Sequence, residues 1–148
     1  MTAQLSAFVL FAALSGGTLE STVYENYNQA WHVARAQNRP VLVILNPGED
    51  SDASAVDVEW LKRSQHRREI LKDYVVCVVD TSTTEGKKVQ KKFNAASLPK
   101  ISVLDRQQKW QIYQSSKELS AEDWNMVLET HRKGNPPPPR PMPAQCLT

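Results

Sequence analysis

Two runs of apolar residues constrain this chain more than anything else in it. Val41, Leu42, Val43, Ile44 and Leu45 form one; Val75, Val76, Cys77, Val78 and Val79 form the other, entered from Tyr74 and closed by Asp80. Neither run alternates with polar residues. A strand with one wet face alternates, whereas a strand covered on both faces is apolar throughout and rich in β-branched residues. Both runs therefore read as central strands of an α/β sheet with helices on each side. At 148 residues the chain is long enough for one such core.

The segments around the two runs supply the helices. In residues 18–38, Val23, Tyr27, Ala30, Trp31 and Ala34 recur at three- and four-residue spacing, and Pro40 stops the pattern. Residues 46–54 are a loop by composition. They lead to a helix over 55–63, for which Ser51, Asp52 or Ser54 is the cap. Ser64 caps a further helix through Lys72 that buries Ile70 and Leu71. After Asp80, residues 81–86 are a polar loop, and 87–93 form a short helix with Val89 and Phe93 on one side.

Pro99 then opens a strand carrying Ile101, Val103 and Leu104. Proline lacks an N–H, so it suits the first residue of a strand. A polar turn at Asp105, Arg106, Gln107 and Gln108 returns the chain through a second strand from Trp110 to Tyr113. The last helix spans 119–132. Ser120 and Asp123 stand at capping-box spacing, and Trp124, Val127 and Leu128 form its inner face.

Both ends differ from this middle. Residues 1–17 carry no charged side chain, and 5–14 are almost wholly apolar, which is the length of a signal-peptide core and too short for a membrane span. The expectation is export to a periplasm or the exterior; a cytoplasmic chain with a buried N-terminal segment is the alternative. Six of the nine prolines fall between Pro136 and Pro143, so residues 134–148 read as an extended or disordered tail outside the core.

Several function classes are disfavoured. A formal net charge of +2 does not indicate nucleic acid. The basic helical positions near Arg67 and Lys88 are interspersed with acids and read as solvated faces. Asp50, Asp52 and Ser54 begin like a calcium loop, but Ala55 stands where glycine is needed and Leu61 where a bidentate glutamate belongs. His32, His66 and His131 are scattered. No metal or cofactor is expected. The four tryptophans, Trp31, Trp60, Trp110 and Trp124, read as core or boundary anchors.

Three stretches in register resemble the thioredoxin-like superfamily, in particular its secreted and periplasmic members. Ala30, Ala34 and Asn38-Arg39-Pro40-Val-Leu-Val resemble the entry into its first central strand. Glu69-Ile-Leu-Lys-Asp-Tyr-Val-Val-Cys-Val-Val-Asp80 resembles the segment through the next strand. Phe93-Asn-Ala-Ala-Ser-Leu-Pro-Lys-Ile-Ser-Val-Leu-Asp105 resembles the cis-proline loop and the strand after it. The resemblance implies a three-layer α/β sandwich over residues 18–133, with a mixed central sheet of about four strands. It also implies a cis Leu98–Pro99 bond.

The family's redox-active members carry Cys-x-x-Cys at the start of the helix after the first central strand, where the helix N-terminus activates the thiol. Counted from Val41, those positions here are Asp50, Ser51, Asp52 and Ala53. Leu98 stands where Thr, Val or Ile is common. The resemblance therefore implies a module without dithiol chemistry. It would bind protein or extended peptide in a groove between Asp50, Ser51, Asp52 and Ala53 on one side and Ser97, Leu98 and Pro99 on the other. The alternative is an enzyme working through a single thiol, Cys77 or Cys146. The sequence leaves oligomeric state open.

Overall fold

The computed structural model describes residues 21–141; the apolar run at 5–14, Cys146 and the last residues of the tail lie outside them. The chain begins with β1 (Val23–Tyr24) and α1 (Tyr27–Gln37), followed by β2 (Val41–Asn46). Two short helices come next, α2 (Val58–Arg63) and α3 (Gln65–Leu71), and then β3 (Val75–Asp80) and α4 (Thr84–Lys92). The hairpin is β4 (Lys100–Leu104) with β5 (Gln111–Ser115), and α5 (Ala121–Thr130) closes the domain.

The five strands form one mixed sheet in the order β1-β3-β2-β4-β5. β3 runs parallel to both β1 and β2. β4 runs antiparallel to β2, and β5 antiparallel to β4. The sequence reading gave about four strands. The fifth is β1, only two residues long, which pairs Val23 with Val76 and Tyr24 with Cys77. Val23 therefore lies in an edge strand rather than on the first helix, whose cap is Asn26.

The unbroken apolar runs are explained by two cores, one on each face of the sheet. On one face Leu42, Ile44 and Val76 pack with Leu61, Ile70 and Trp124. On the other Val41, Val43 and Cys77 pack with Tyr27, Ala30 and Ala34 of α1. Successive strand residues point to opposite faces, so both positions of every pair must be apolar. Tyr74 joins the layers at one end, its hydroxyl donating to Leu128 O at 2.6 Å.

Local signals place most helix ends. Ser64 accepts from Arg67 N–H and opens α3. Ser120 and Asp123 form the expected capping box, with bonds of 3.1 and 3.3 Å. Thr83 caps α4, which therefore starts inside the stretch read as a polar loop. Gly134, at φ 60°, is buried, and its carbonyl accepts from Arg106 N–H. The first residue of the proline-rich segment is thus tied to the hairpin turn.

Candidate functional site

The site begins at Asn46, the last residue of β2. Its side-chain amide donates to Val56 O at 3.0 Å, and its Oδ1 accepts from Val56 N–H at 2.8 Å. The carboxamide thus pairs with the Val56 main chain as a neighbouring strand would. The main-chain carbonyl of Asn46 accepts from Thr81 N–H and from Thr81 Oγ1. One residue therefore fixes the loop before α2 and the turn after β3 together.

This clamp decides where α2 starts. Once Val56 is held beside the sheet, the next residue, Asp57, becomes the cap; its carboxylate accepts from Glu59 N–H at 2.9 Å. Ser51, Asp52 and Ser54 are exposed in the preceding loop and cap nothing in α2. Asn46→Ala removes both bonds and leaves two half-buried polar groups to water. It is expected to cost about 2 kcal/mol. Hydrogen exchange checks the cause: Val56 N–H should lose protection by more than the loss of global stability explains.

The facing wall is the loop before β4. The Leu98–Pro99 peptide bond is cis, Pro99 is buried, and Ser97 is exposed. Among the described residues, the main-chain N–H groups of Ser97 and Leu98 have no protein acceptor. Pro99 shares a cavity of about 370 Å³ with Ala55, Val56 and Asp57; Trp60 and Trp124 line it further. Trp124 belongs to the core, and Trp60 is held from outside by Arg67, whose guanidinium lies 4.7 Å from the ring centroid. Arg67 was read as part of a solvated face. It is buried, with Nε donating to Leu61 O and Nη1 to Asn125 Oδ1.

The structure thus separates the two halves of the groove read from the sequence. Of the seven residues, Pro99 lines the cavity; Ser97 and Leu98 are not among its walls, and Asp50, Ser51, Asp52 and Ala53 are exposed and absent from them too. Ala55, Val56 and Asp57 take their place. Counting forward from Val41 fixes no helix start; the chain between β2 and α2 runs from Pro47 to Asp57, and Asn46 captures it at Val56.

Among the described residues no sulfur stands at this cavity. Cys77 pairs with Val43 in the sheet interior, has no accessible surface, and its thiol is pushed up to about 12 by burial. Its thiolate is disfavoured in the folded state, so the contribution to stability is present below the thiol's ordinary value near 9 and is lost as pH rises from there toward 12. The expected result is negligible labelling of Cys77 by iodoacetamide at pH 8 in the folded protein, and full labelling in urea. Mass spectrometry of the tryptic peptide reads both.

A second, larger cavity of about 790 Å³ lies at the carboxyl ends of the parallel strands. Among the described residues its walls carry Glu25, Asp57, Glu59, Asp80 and Glu85, with no lysine or arginine. The Ser82 hydroxyl and N–H both donate to Asp80 and hold its carboxyl below the usual range. Among the described residues, no three His, Cys, Asp or Glu side chains stand close enough to hold a metal ion.

No protein-family model and no curated protein sequence matches the chain. Solved structures do match it. A thioredoxin from Thermus thermophilus is 15% identical, with a TM-score of 0.61 over 76% of this chain and 87% of that one. Trxlp from Edwardsiella tarda EIB202 is 20% identical, with a TM-score of 0.55 over 72% of this chain and 98% of that one. Thioredoxin O2 from Arabidopsis thaliana is 14% identical, with a TM-score of 0.53 over 75% and 94% of the two chains. Likeness at this level of identity speaks to architecture alone. With its strand order, its helix layers and the proline loop facing the N-terminus of α2, it establishes that the chain has a thioredoxin-like fold.

Proposed function

We propose that the chain is a binding module that grips extended polypeptide at the cavity between Pro99 and the N-terminus of α2, without thiol chemistry. The observation that carries this reading is the composition of that cavity. Val56, Pro99, Leu119 and two tryptophans line it beside the charged Asp57, Arg63 and Glu118; among the described residues no cysteine does, and the N–H groups of Ser97 and Leu98, just before Pro99, have no protein acceptor. An extended peptide can offer carbonyls to such N–H groups while its side chains enter a cavity with both apolar and charged walls. The alternative, an enzyme using one thiol, gains nothing from Cys77, which is inside the sheet.

Site-specific photocrosslinking tests the reading. A photoreactive residue at Ala55 and another at Leu98 should capture the same peptide segment of one partner in the native host. A third at Asp52, on the exposed loop, should not. Capture at Asp52 alone, or of unrelated segments at Ala55 and Leu98, overturns the proposed groove. Export is part of the same proposal and rests on residues 5–14; N-terminal sequencing of native protein should begin near Gly16, and an intact start in cytosolic protein contradicts it.

A further inference from the structure

The opposite face of the sheet carries an unused charge. Lys100 is the first residue of β4 and only 6% exposed. Pairing of Lys100 with Leu45, Ser102 with Val43 and Leu104 with Val41 places all of them on the face that α1 covers. The Lys100 ammonium donates to Phe93 O at 2.8 Å, just past the end of α4. That bond uses one of its three protons. A buried ammonium without an anionic partner is costly, and such groups are normally paired. Among the described residues Lys100 forms no ion pair.

Lys100 lines a cavity of about 400 Å³ with two further lysines, Lys92 and Lys109. Neither of these forms an ion pair among the described residues, and no carboxylate lines the cavity. Lys92 instead lies over the Tyr27 ring at 4.8 Å. The buried carboxylate of the adjoining turn, Asp105, already accepts from the main-chain N–H groups of Gln107, Lys109 and Trp110. Among the described residues the acidic cavity at the strand ends is the opposite: three cations and no acid line this one, five acids and no lysine or arginine that one.

The remaining lining chemistry is polar and flat. Asn94 and Gln114 bring carboxamides, which both donate and accept; the Gln108 and Gln111 amides already donate to Arg39 O and Ser102 Oγ and offer their oxygens. Trp110, at the rim, is 57% exposed despite its size, so it is a surface for a ligand and not a core anchor. Carboxamides and aromatic faces suit hydroxylated rings, and lysine binds phosphate as a point charge. The volume is that of a small-molecule site, which typically measures about 300–1,000 Å³.

We propose that this cavity binds a small polyhydroxylated phosphate ester, its phosphate held by Lys100, Lys92 and Lys109 and its hydroxyls by the carboxamides beside Trp110. The structural competitor is that Lys100 only caps α4 through Phe93 O. The two are separated by titrating isotope-labelled full-length protein with ribose 5-phosphate, inorganic phosphate and ribose, read by amide and indole NMR shifts.

Ribose 5-phosphate should saturate, shifting Asn94, Lys109 and the Trp110 indole. Its binding should be at least about tenfold tighter than that of inorganic phosphate, and ribose should shift nothing. Lys109→Gln and Lys92→Gln, both on exposed residues, should each weaken it about five- to tenfold with Tm unchanged. Shifts that fail to saturate, that spread equally to Lys62 and Lys87, or that survive both substitutions overturn the site. Equal affinity for phosphate and its ester overturns the hydroxyl contacts and with them the proposed ligand.

Discussion

Trp124→Ala is expected to destabilise the protein by about 3–5 kcal/mol, the range for deleting a large buried aromatic side chain. Trp124 is 2% exposed and sits where α5 meets the sheet, in one core with Leu42, Ile44, Leu61 and Ile70. Domains of this size are held by about 5–15 kcal/mol in total, so one substitution removes a large share. The midpoint of urea unfolding should fall with little change in slope, because the surface exposed on unfolding barely changes. Trp124→Phe should cost less than half as much. A loss below about 1 kcal/mol for the alanine variant would mean that α5 is not anchored through this ring. The same ring lines the cavity at Pro99, so the binding proposed there should weaken in the phenylalanine variant at temperatures where its unfolding curve shows it folded.

The second large effect runs against helix propensity. Gly86 lies within α4, and replacing glycine by alanine inside a helix ordinarily gains up to about 1 kcal/mol. Here a Cβ would stand 1.8 Å from Asp80 O and 2.7 Å from Asp80 C. Those are backbone atoms at the end of β3 and cannot rotate away. Overpacking against fixed structure costs about 1–3 kcal/mol, more where backbone must move. Gly86→Ala should therefore destabilise by about 2 kcal/mol or more after the propensity gain is subtracted. Glu85→Ala, one residue earlier and exposed, serves as control and should lie within about 0.5 kcal/mol of the parent. Thermal unfolding of the pair checks the sign.

Gly86 also shows where sequence reading stops. A lone glycine among Thr, Glu and Lys looks like loop, and the close approach of α4 to Asp80 that requires it is a tertiary fact. What was legible depended on neighbours in sequence. The two apolar runs announced strands covered on both faces, and the Ser120–Asp123 box and Ser64 announced helix starts, because each signal is complete within a few residues. β1 was not legible, since two residues cannot display a period of two. The start of α2 was not legible either. Ser51, Asp52, Ser54 and Asp57 are all competent caps, and the choice was made by Asn46 through its bonds to Val56.

The candidate site followed the same division. Pro99 is marked in the sequence by its position before the strand, whereas the residues that share its cavity, Ala55, Val56 and Asp57, depend on the Asn46 clamp. The lysine-lined cavity had no sequence signature at all, because its walls come from α1, the end of α4, β4, the turn and β5. Trp110 looked like an anchor by residue type, and only its position at the open edge of the sheet reveals it as exposed.

One assay separates a binding module from a thiol enzyme: the rate of insulin disulfide reduction in the presence of dithiothreitol. Exchange requires an accessible thiolate and a second thiol to release the mixed disulfide. The cavity at Pro99 offers neither, and Cys77 is buried with its thiol pushed up to about 12. The predicted result is a rate equal to that without protein, unchanged in Cys77→Ser and Cys146→Ser variants. Robust reduction by the parent protein, abolished by Cys77→Ser in a variant whose unfolding shows it still folded, would contradict the binding-module reading and make the chain a thiol enzyme.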